Sequence, residues 1–263
     1  MKATINDVEI AYTDEGSGTP VVFIHGYPLN RSMWQEQVAA LSDQFRCISI
    51  DLRGHGESQA FFWLTTVDVY AAEVTGLLDH LNIDQAVICG FSMGGYVAFA
   101  LYRNHRSRIR GLILADTRAQ ADSPDGKRAR FQAALIAQTE GPAAIADALL
   151  TRLLSPKSIA ERSDLTQRVR RMIETAPVAG IAGDLMALSE RPDSVDLLPT
   201  ISVPTLVLVG EQDALTPPAD SQLMAERIPG AQLKTIPDAA HMASLEQPET
   251  WNQAVADFLK TLA

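Results

Sequence analysis

No stretch of this chain reaches the roughly 18 consecutive apolar residues that a membrane-spanning helix needs, so a membrane is not expected as a partner. The opening residues, Met1-Lys2-Ala3-Thr4-Ile5-Asn6-Asp7, lack the apolar centre of a secretory signal, and the cytoplasm is the expected location. Positive charge is scarce: 22 Lys and Arg face 32 Asp and Glu, a formal net charge of −10. Nucleic-acid binders carry a basic face that neutralises phosphates, so nucleic acid is not expected either. Cysteine is nearly absent. Cys47 and Cys89 are too few for a disulfide scaffold and are not spaced as metal ligands. Each lies in an apolar run of strand-forming residues, the setting of a buried, inert thiol. Internal repeats and low-complexity linkers are missing as well, and the oligomeric state is left open.

What is present reads as a globular α/β chain. The 263 residues are 46% hydrophobic and 21% charged, enough to bury one large core with an insertion or two small ones. Residues 20–24, 45–50, 86–89 and 112–115 are short, unbroken apolar runs, as strands buried on both faces require. Helical patterns lie between them at 34–41, 67–81 and 96–104, and residues 5–13 read as part of a strand hairpin. Such alternation with short turns predicts a doubly wound, mostly parallel sheet. From 120 to 193 the strand pattern disappears. Ala, Leu, Arg and Glu recur there at helical spacing, and the breaks at Gly141-Pro142, Ser155-Pro156 and Ala176-Pro177 predict four or so helices. Strands return at 204–210 and 232–236, and an amphipathic helix closes the chain at 248–262.

The chemistry concentrates at Gly90-Phe91-Ser92-Met93-Gly94-Gly95, between a predicted strand and a predicted helix. In that context G-x-S-x-G is a nucleophile elbow. The serine occupies a sharp turn, and the glycines let strand and helix close around it. A serine nucleophile needs a base. Of His25, His55, His80, His105 and His241, only His241 follows the last strand, at the sheet end where a parallel fold places ligand-facing residues. The base needs a carboxylate. Asp213 follows the 205–209 strand and completes the chain order Ser92, Asp213, His241. Asp116, at the end of an earlier strand, is the rival, and Asp238 reads as a turn residue. Backbone N–H groups of Met93 and of Tyr27, in His25-Gly26-Tyr27-Pro28, are the expected oxyanion donors.

With these residues in hand, the chain resembles the α/β-hydrolase superfamily over residues 1–262. The resemblance rests on His25-Gly26-Tyr27-Pro28, on Asp51-Leu52-Arg53-Gly54-His55-Gly56-Glu57-Ser58, on the Ser92 elbow, on Gly210-Glu211-Gln212-Asp213 and on Ala240-His241. Within the superfamily the chain is similar to small bacterial carboxylesterases and to 3-oxoadipate enol-lactonase-like enzymes. The resemblance implies the α/β-hydrolase fold: a mostly parallel eight-stranded sheet flanked by helices, with a helical cap after strand six. It divides the chain into a core domain, 1–119 and 194–263, and a cap, 120–193. The pocket is expected between them, lined by Tyr27, Leu29 and Met93, and the expected reaction is hydrolysis of small esters with no metal or organic cofactor; under a lactonase reading Arg118 holds a substrate carboxylate, and otherwise it reads as a solvated arginine at the cap hinge. Small-molecule esters or lactones are the expected partners. A lactonase, a C–C bond hydrolase and a triad-retaining signalling receptor are the alternatives. Family strand order also separates Cys47 from Cys89 by an intervening strand, too far for a disulfide. Position 92 is serine and not aspartate, which argues against haloalkane and epoxide chemistry. Tyrosine at 27, where similar perhydrolases often carry tryptophan, argues against peracid chemistry. The apolar run Ala60-Phe61-Phe62-Trp63-Leu64 is unusual for such a protein.

Overall fold

The computed structural model describes residues 1–60 and 65–262; residues 61–64, most of that apolar run, lie outside the described residues. The first half of the chain alternates as expected: β1 (Lys2–Ile5), β2 (Val8–Glu15), β3 (Pro20–Ile24), α1 (Gln35–Leu41), β4 (Arg46–Ile50), α2 (Val67–His80), β5 (Ala86–Phe91), α3 (Met93–His105) and β6 (Ile109–Ala115). The predicted 5–13 hairpin component is two strands. They meet at Asn6 and Asp7, with φ of 48° and 63°, a left-handed turn that short polar side chains tolerate.

Five helices follow before the sheet resumes: α4 (Pro124–Thr139), α5 (Pro142–Leu153), α6 (Pro156–Glu161), α7 (Ser163–Glu174) and α8 (Val178–Glu190). Serine side chains cap two of them, Ser123 on Gly126 N–H and Ser155 on Ser158 N–H. The two ends of this insertion are pinned together: the Ser194 N–H donates to the Ala119 carbonyl at 2.8 Å, and the Ala121 N–H to Asp193 Oδ2 at 2.9 Å. The chain closes with β7 (Thr205–Gly210), α9 (Pro218–Arg227), β8 (Gln232–Ile236), α10 (Ala243–Glu246) and α11 (Pro248–Lys260).

The eight strands form one sheet in the order β1-β2-β4-β3-β5-β6-β7-β8. Pairing is antiparallel only for β1 with β2 and β2 with β4. The unbroken apolar strands serve two cores by alternation. Val21, Phe23, Val87 and Cys89 face the α1 and α11 side, against Trp34 and Trp251. Val22, Ile24, Ile88 and Leu112 face α2 and α3. Each such side chain taken from water contributes about 1.5–3 kcal/mol, which is why these strands carry almost no polar residue. β3 lies between β4 and β5, pairing Val21 with Cys47 and Phe23 with Cys89, and both cysteines are free and buried. Among the described residues no helix is long and apolar enough to cross a membrane.

Candidate active site

β5 ends at Phe91 and α3 begins at Met93, so Ser92 alone makes the turn, with φ 50° and ψ −111°. A non-glycine residue held there costs about 1–3 kcal/mol of strain. Its surroundings hold it. The Ser92 N–H donates to the Ala115 carbonyl of β6 at 3.0 Å, and the Ser92 carbonyl accepts from the Gly95 N–H at 2.9 Å and from Thr117 Oγ1 at 2.8 Å. A Cβ on Gly90 would run into the Gly94 carbonyl, and one on Gly94 into the Ile24 carbonyl. Both glycines of the motif are therefore required by close backbone approach, as the sequence implies.

His241 lies in the loop after β8, almost fully buried. Its ring packs on Phe91 at a centroid distance of 5.0 Å, and Phe91 in turn rests on Trp34. Its Nδ1 stands 2.8 Å from Asp213 Oδ2. A carboxylate at that distance holds the ring proton on Nδ1 and leaves Nε2 with a lone pair. Asp213 is itself fixed by its loop. Oδ1 accepts the N–H groups of Leu215 and Thr216 at 2.8 and 3.0 Å, and Oδ2 accepts Thr216 Oγ1 at 2.8 Å. Burial pushes the Asp213 carboxyl up, but the His241 charge and these donors outweigh it, and the net shift is below the usual value.

Asp116 behaves differently. Its Oδ1 accepts the Gly210 N–H at 2.8 Å, which ties β6 to β7, and its Oδ2 is buried without a partner. Burial, then the charge of Asp213, raises its pKa well above the ordinary range. Asp238 is an exposed turn residue with φ 54°. His25 and His55 are fully buried elsewhere in the core.

Ser92, Met93, Tyr27, Thr216 and His241 border one cavity of about 320 Å³. Its opposite wall comes from the insertion: Arg130 and Ala133 of α4, Ile145 and Leu149 of α5, Leu185 and Leu188 of α8. Among the described residues no backbone carbonyl accepts from the Tyr27 or Met93 N–H. A larger groove of about 450 Å³ lies among Arg31, Asp51 and Glu57 and includes neither Ser92 nor His241.

Leu29 does not border the cavity. It is fully buried in the core beside Met33 and Trp34, because the loop turns back at once: the Leu29 N–H donates to the Gly26 carbonyl at 2.9 Å. Arg118 does border it, 3.1 Å from Asp122. Asp122 also holds Arg130 at 3.0 Å and Arg191 at 2.9 Å. Burial would raise the Asp122 carboxyl, but Arg191 and Arg130 bring it down to about 2. The cavity wall thus carries one carboxylate, Asp122, against three guanidinium groups, Arg118, Arg130 and Arg152. The last two sit on α4 and α5, where Arg130 lies between Ala129 and Phe131 and Arg152 between Thr151 and Leu153. No group of three or more His, Cys, Asp or Glu side chains is arranged to hold a metal ion among the described residues.

Known proteins of this architecture place the chain. Residues 19–248 match the alpha/beta hydrolase fold family. The chain is 32% identical to 3-oxoadipate enol-lactonase 2 of Acinetobacter baylyi over 259 residues, 98% of this chain and 95% of that protein. It is similar in structure to a thermophilic esterase from Thermogutta terrifontis, with TM-score 0.97 and 43% identity over 100% of this chain and 98% of that one. It is also similar to the enol-lactonase of Burkholderia xenovorans LB400, with TM-score 0.92 and 33% identity over 99% and 100% of the two chains. Sheet order, elbow and sequence likeness agree, and the chain belongs to the α/β-hydrolase family.

Proposed function

We propose that this protein hydrolyses small carboxylic esters through an acyl-enzyme on Ser92. His241 Nε2 takes the Ser92 proton as the hydroxyl attacks the carbonyl carbon. The N–H groups of Met93 and Tyr27 stabilise the oxyanion. His241 then gives its proton to the leaving alcohol, and water repeats the cycle on the acyl-enzyme. Asp213 keeps the proton on Nδ1 and stabilises the imidazolium that forms. Protein groups and water supply every step. The carrying observation is the 2.8 Å contact between His241 Nδ1 and Asp213 Oδ2, on a histidine that borders the same cavity as the strained Ser92. Residues 120–193 act as the cap that selects substrate, since α4, α5 and α8 supply the far wall.

A second reading, hydrolysis of a lactone that bears a free carboxylate, is favoured by the excess of arginine over aspartate on that wall. The two share the Ser92 chemistry and differ in the group the wall must hold. The test is a panel of neutral p-nitrophenyl esters, acid-bearing esters, enol-lactones and diketones, run with wild type and Ser92→Ala. Ester turnover should fall by several orders of magnitude in the variant, to about 10³–10⁴-fold over water. Turnover within tenfold of wild type in a folded Ser92→Ala protein would overturn Ser92 as nucleophile. A preference for lactones over esters of equal charge would select the second reading.

A further inference from the structure

The backbone that carries His241 is held from both sides by groups outside the reacting set. The Ala240 N–H, one residue before it, donates to Glu246 Oε2 at 2.6 Å. The Met242 N–H, one residue after it, donates to the Leu153 carbonyl at 3.0 Å, and Leu153 ends α5 at the cavity wall. The other oxygen of Glu246, Oε1, accepts the Ser155 N–H at 2.8 Å, in the turn between α5 and α6. Glu246 is 4% exposed. One buried carboxylate therefore takes a backbone N–H from the histidine loop on one oxygen and a backbone N–H from the inserted helices on the other. Arg162 donates to the carbonyls of Leu245 and Glu246 at 3.1 and 3.0 Å and brings its positive charge to the same turn.

A buried carboxylate is costly unless its oxygens are satisfied, and charge-assisted bonds of this kind are short and directional. Glutamine cannot replace it, because it offers one acceptor and one NH₂ that would face an N–H. Aspartate is one methylene too short to reach both donors. The site is thus specific for glutamate, although Glu246 neither borders the cavity nor touches the histidine ring.

We infer that Glu246 is a positioning residue. It fixes the segment on which His241 rides and registers α5 and α6 against it, so that cavity wall and base move as one body. The inference rests on the hydrolysis proposed above. Its test is Glu246→Gln, read by steady-state kinetics on p-nitrophenyl acetate and by the rate at which a fluorophosphonate labels Ser92. Both kcat and labelling rate should fall together by about 10- to 100-fold, the scale of a 1 Å misplacement, with little change in KM. Tyr102→Phe, which loses a hydroxyl donor to the Thr200 carbonyl away from the cavity, should lower Tm and leave kcat unchanged.

Ser155 separates the two halves of the bridge. Its φ of −65° already suits proline. Ser155→Pro removes the N–H that Glu246 accepts together with the side-chain cap on Ser158, whereas Ser155→Ala removes only the cap. Ser155→Pro should slow labelling and Ser155→Ala should not. Labelling at the wild-type rate in Glu246→Gln, a kcat loss matched by loss of folded protein, or equal rates in the two Ser155 variants would each overturn the inference. A wild-type protein inert to ester and fluorophosphonate alike would overturn the hydrolysis reading itself, a result distinct from a reactive wild type with an equally reactive Glu246→Gln.

Discussion

Asp116 and Asp213 end neighbouring strands, yet their surroundings shift their carboxyl groups in opposite directions. Asp213 receives three donors besides His241, and its pKa is lowered; Asp116 receives one, and burial, then the charge of Asp213, raises its pKa. Asp213→Asn should cost about 10⁴-fold in kcat, by putting the His241 proton on the wrong nitrogen, while Asp116→Asn should remain active. The sign for stability follows from proton binding. The folded pKa of Asp116 lies above the unfolded value of about 3.9, so the native state binds the extra proton. Its contribution is complete below that value and is lost as pH rises through the folded pKa. Asp116→Asn, neutral at every pH and still able to accept the Gly210 N–H, should match or exceed wild-type Tm at pH 7. Urea titrations at pH 5 and 7 check this, and a lower stability of the variant at pH 7 would count against a protonated Asp116. That Ser92 and His241 border one cavity and that Asp213 meets His241 was legible in the sequence, because a strand end followed by a small or polar turn constrains local geometry strongly. Leu29 was misassigned because only the turn-back of its loop, a tertiary outcome, buries it. Glu246 carried no signal: an acidic residue before Gln-Pro reads as a helix end, and its two donors lie 6 and 91 positions away.

Elements meet closely where α8 packs on the loop after β4. A Cβ on Gly180 of α8 would strike the Gly54 carbonyl, and beside that contact lies a fully buried polar set. His55 Nε2 stands 2.8 Å from Asp184 Oδ2, and the Tyr70 hydroxyl donates to Asp184 Oδ1. Burial alone would lower the His55 pKa, but Asp184 outweighs it and the net shift is upward. His25, edge-on to it at a centroid distance of 5.1 Å, is instead pushed down to about 4, by burial and then by His55. The two imidazoles are thus shifted in opposite directions, His55 up beside Asp184 and His25 down. Because the folded His55 pKa exceeds the unfolded value of about 6.5, its stabilisation is complete below that value and is lost as pH rises through the folded pKa. His55→Gln leaves Asp184 buried without its cation and should cost about 3–5 kcal/mol at pH 6. Wild type should lose stability toward alkaline pH, and the variant should lose less of it. Denaturation curves at pH 6 and 9 test both; a variant that keeps the wild-type slope would remove His55 as its source. The central strands were readable as elements because burial on both faces leaves only apolar residues in them. The packing of α4 to α8 was not, since helices with short apolar stripes and many arginines do not declare which neighbour each face meets.

The whole molecule keeps its thiols at the centre. Cys47 and Cys89 lie on either side of β3 in the middle of the sheet, both fully buried, and burial pushes the Cys47 thiol up to about 12. Both sit in central strands and not in loops, so their reaction should follow global unfolding. Native protein should react with neither thiol on mixing with a disulfide reagent, and both should react in concentrated guanidinium. Prompt reaction of either in the native state would mean that the sheet opens locally. The pinned neck of the helical insertion has a different consequence. β6 and β7 are sheet neighbours, roughly 4.8 Å apart, and the segments that leave and rejoin them are already joined by Ser194 to Ala119 and by Ala121 to Asp193. Parts of the insertion that do not meet the core should therefore tolerate lengthening, shortening or exchange without shifting the register of any strand. Inherited change in what the cavity admits is thereby uncoupled from inherited change in the serine and histidine beneath it. What a successful replacement must retain is an amide to meet Glu246 Oε1, a carbonyl to meet the amide of Met242, and a carboxylate to meet His55 and Tyr70.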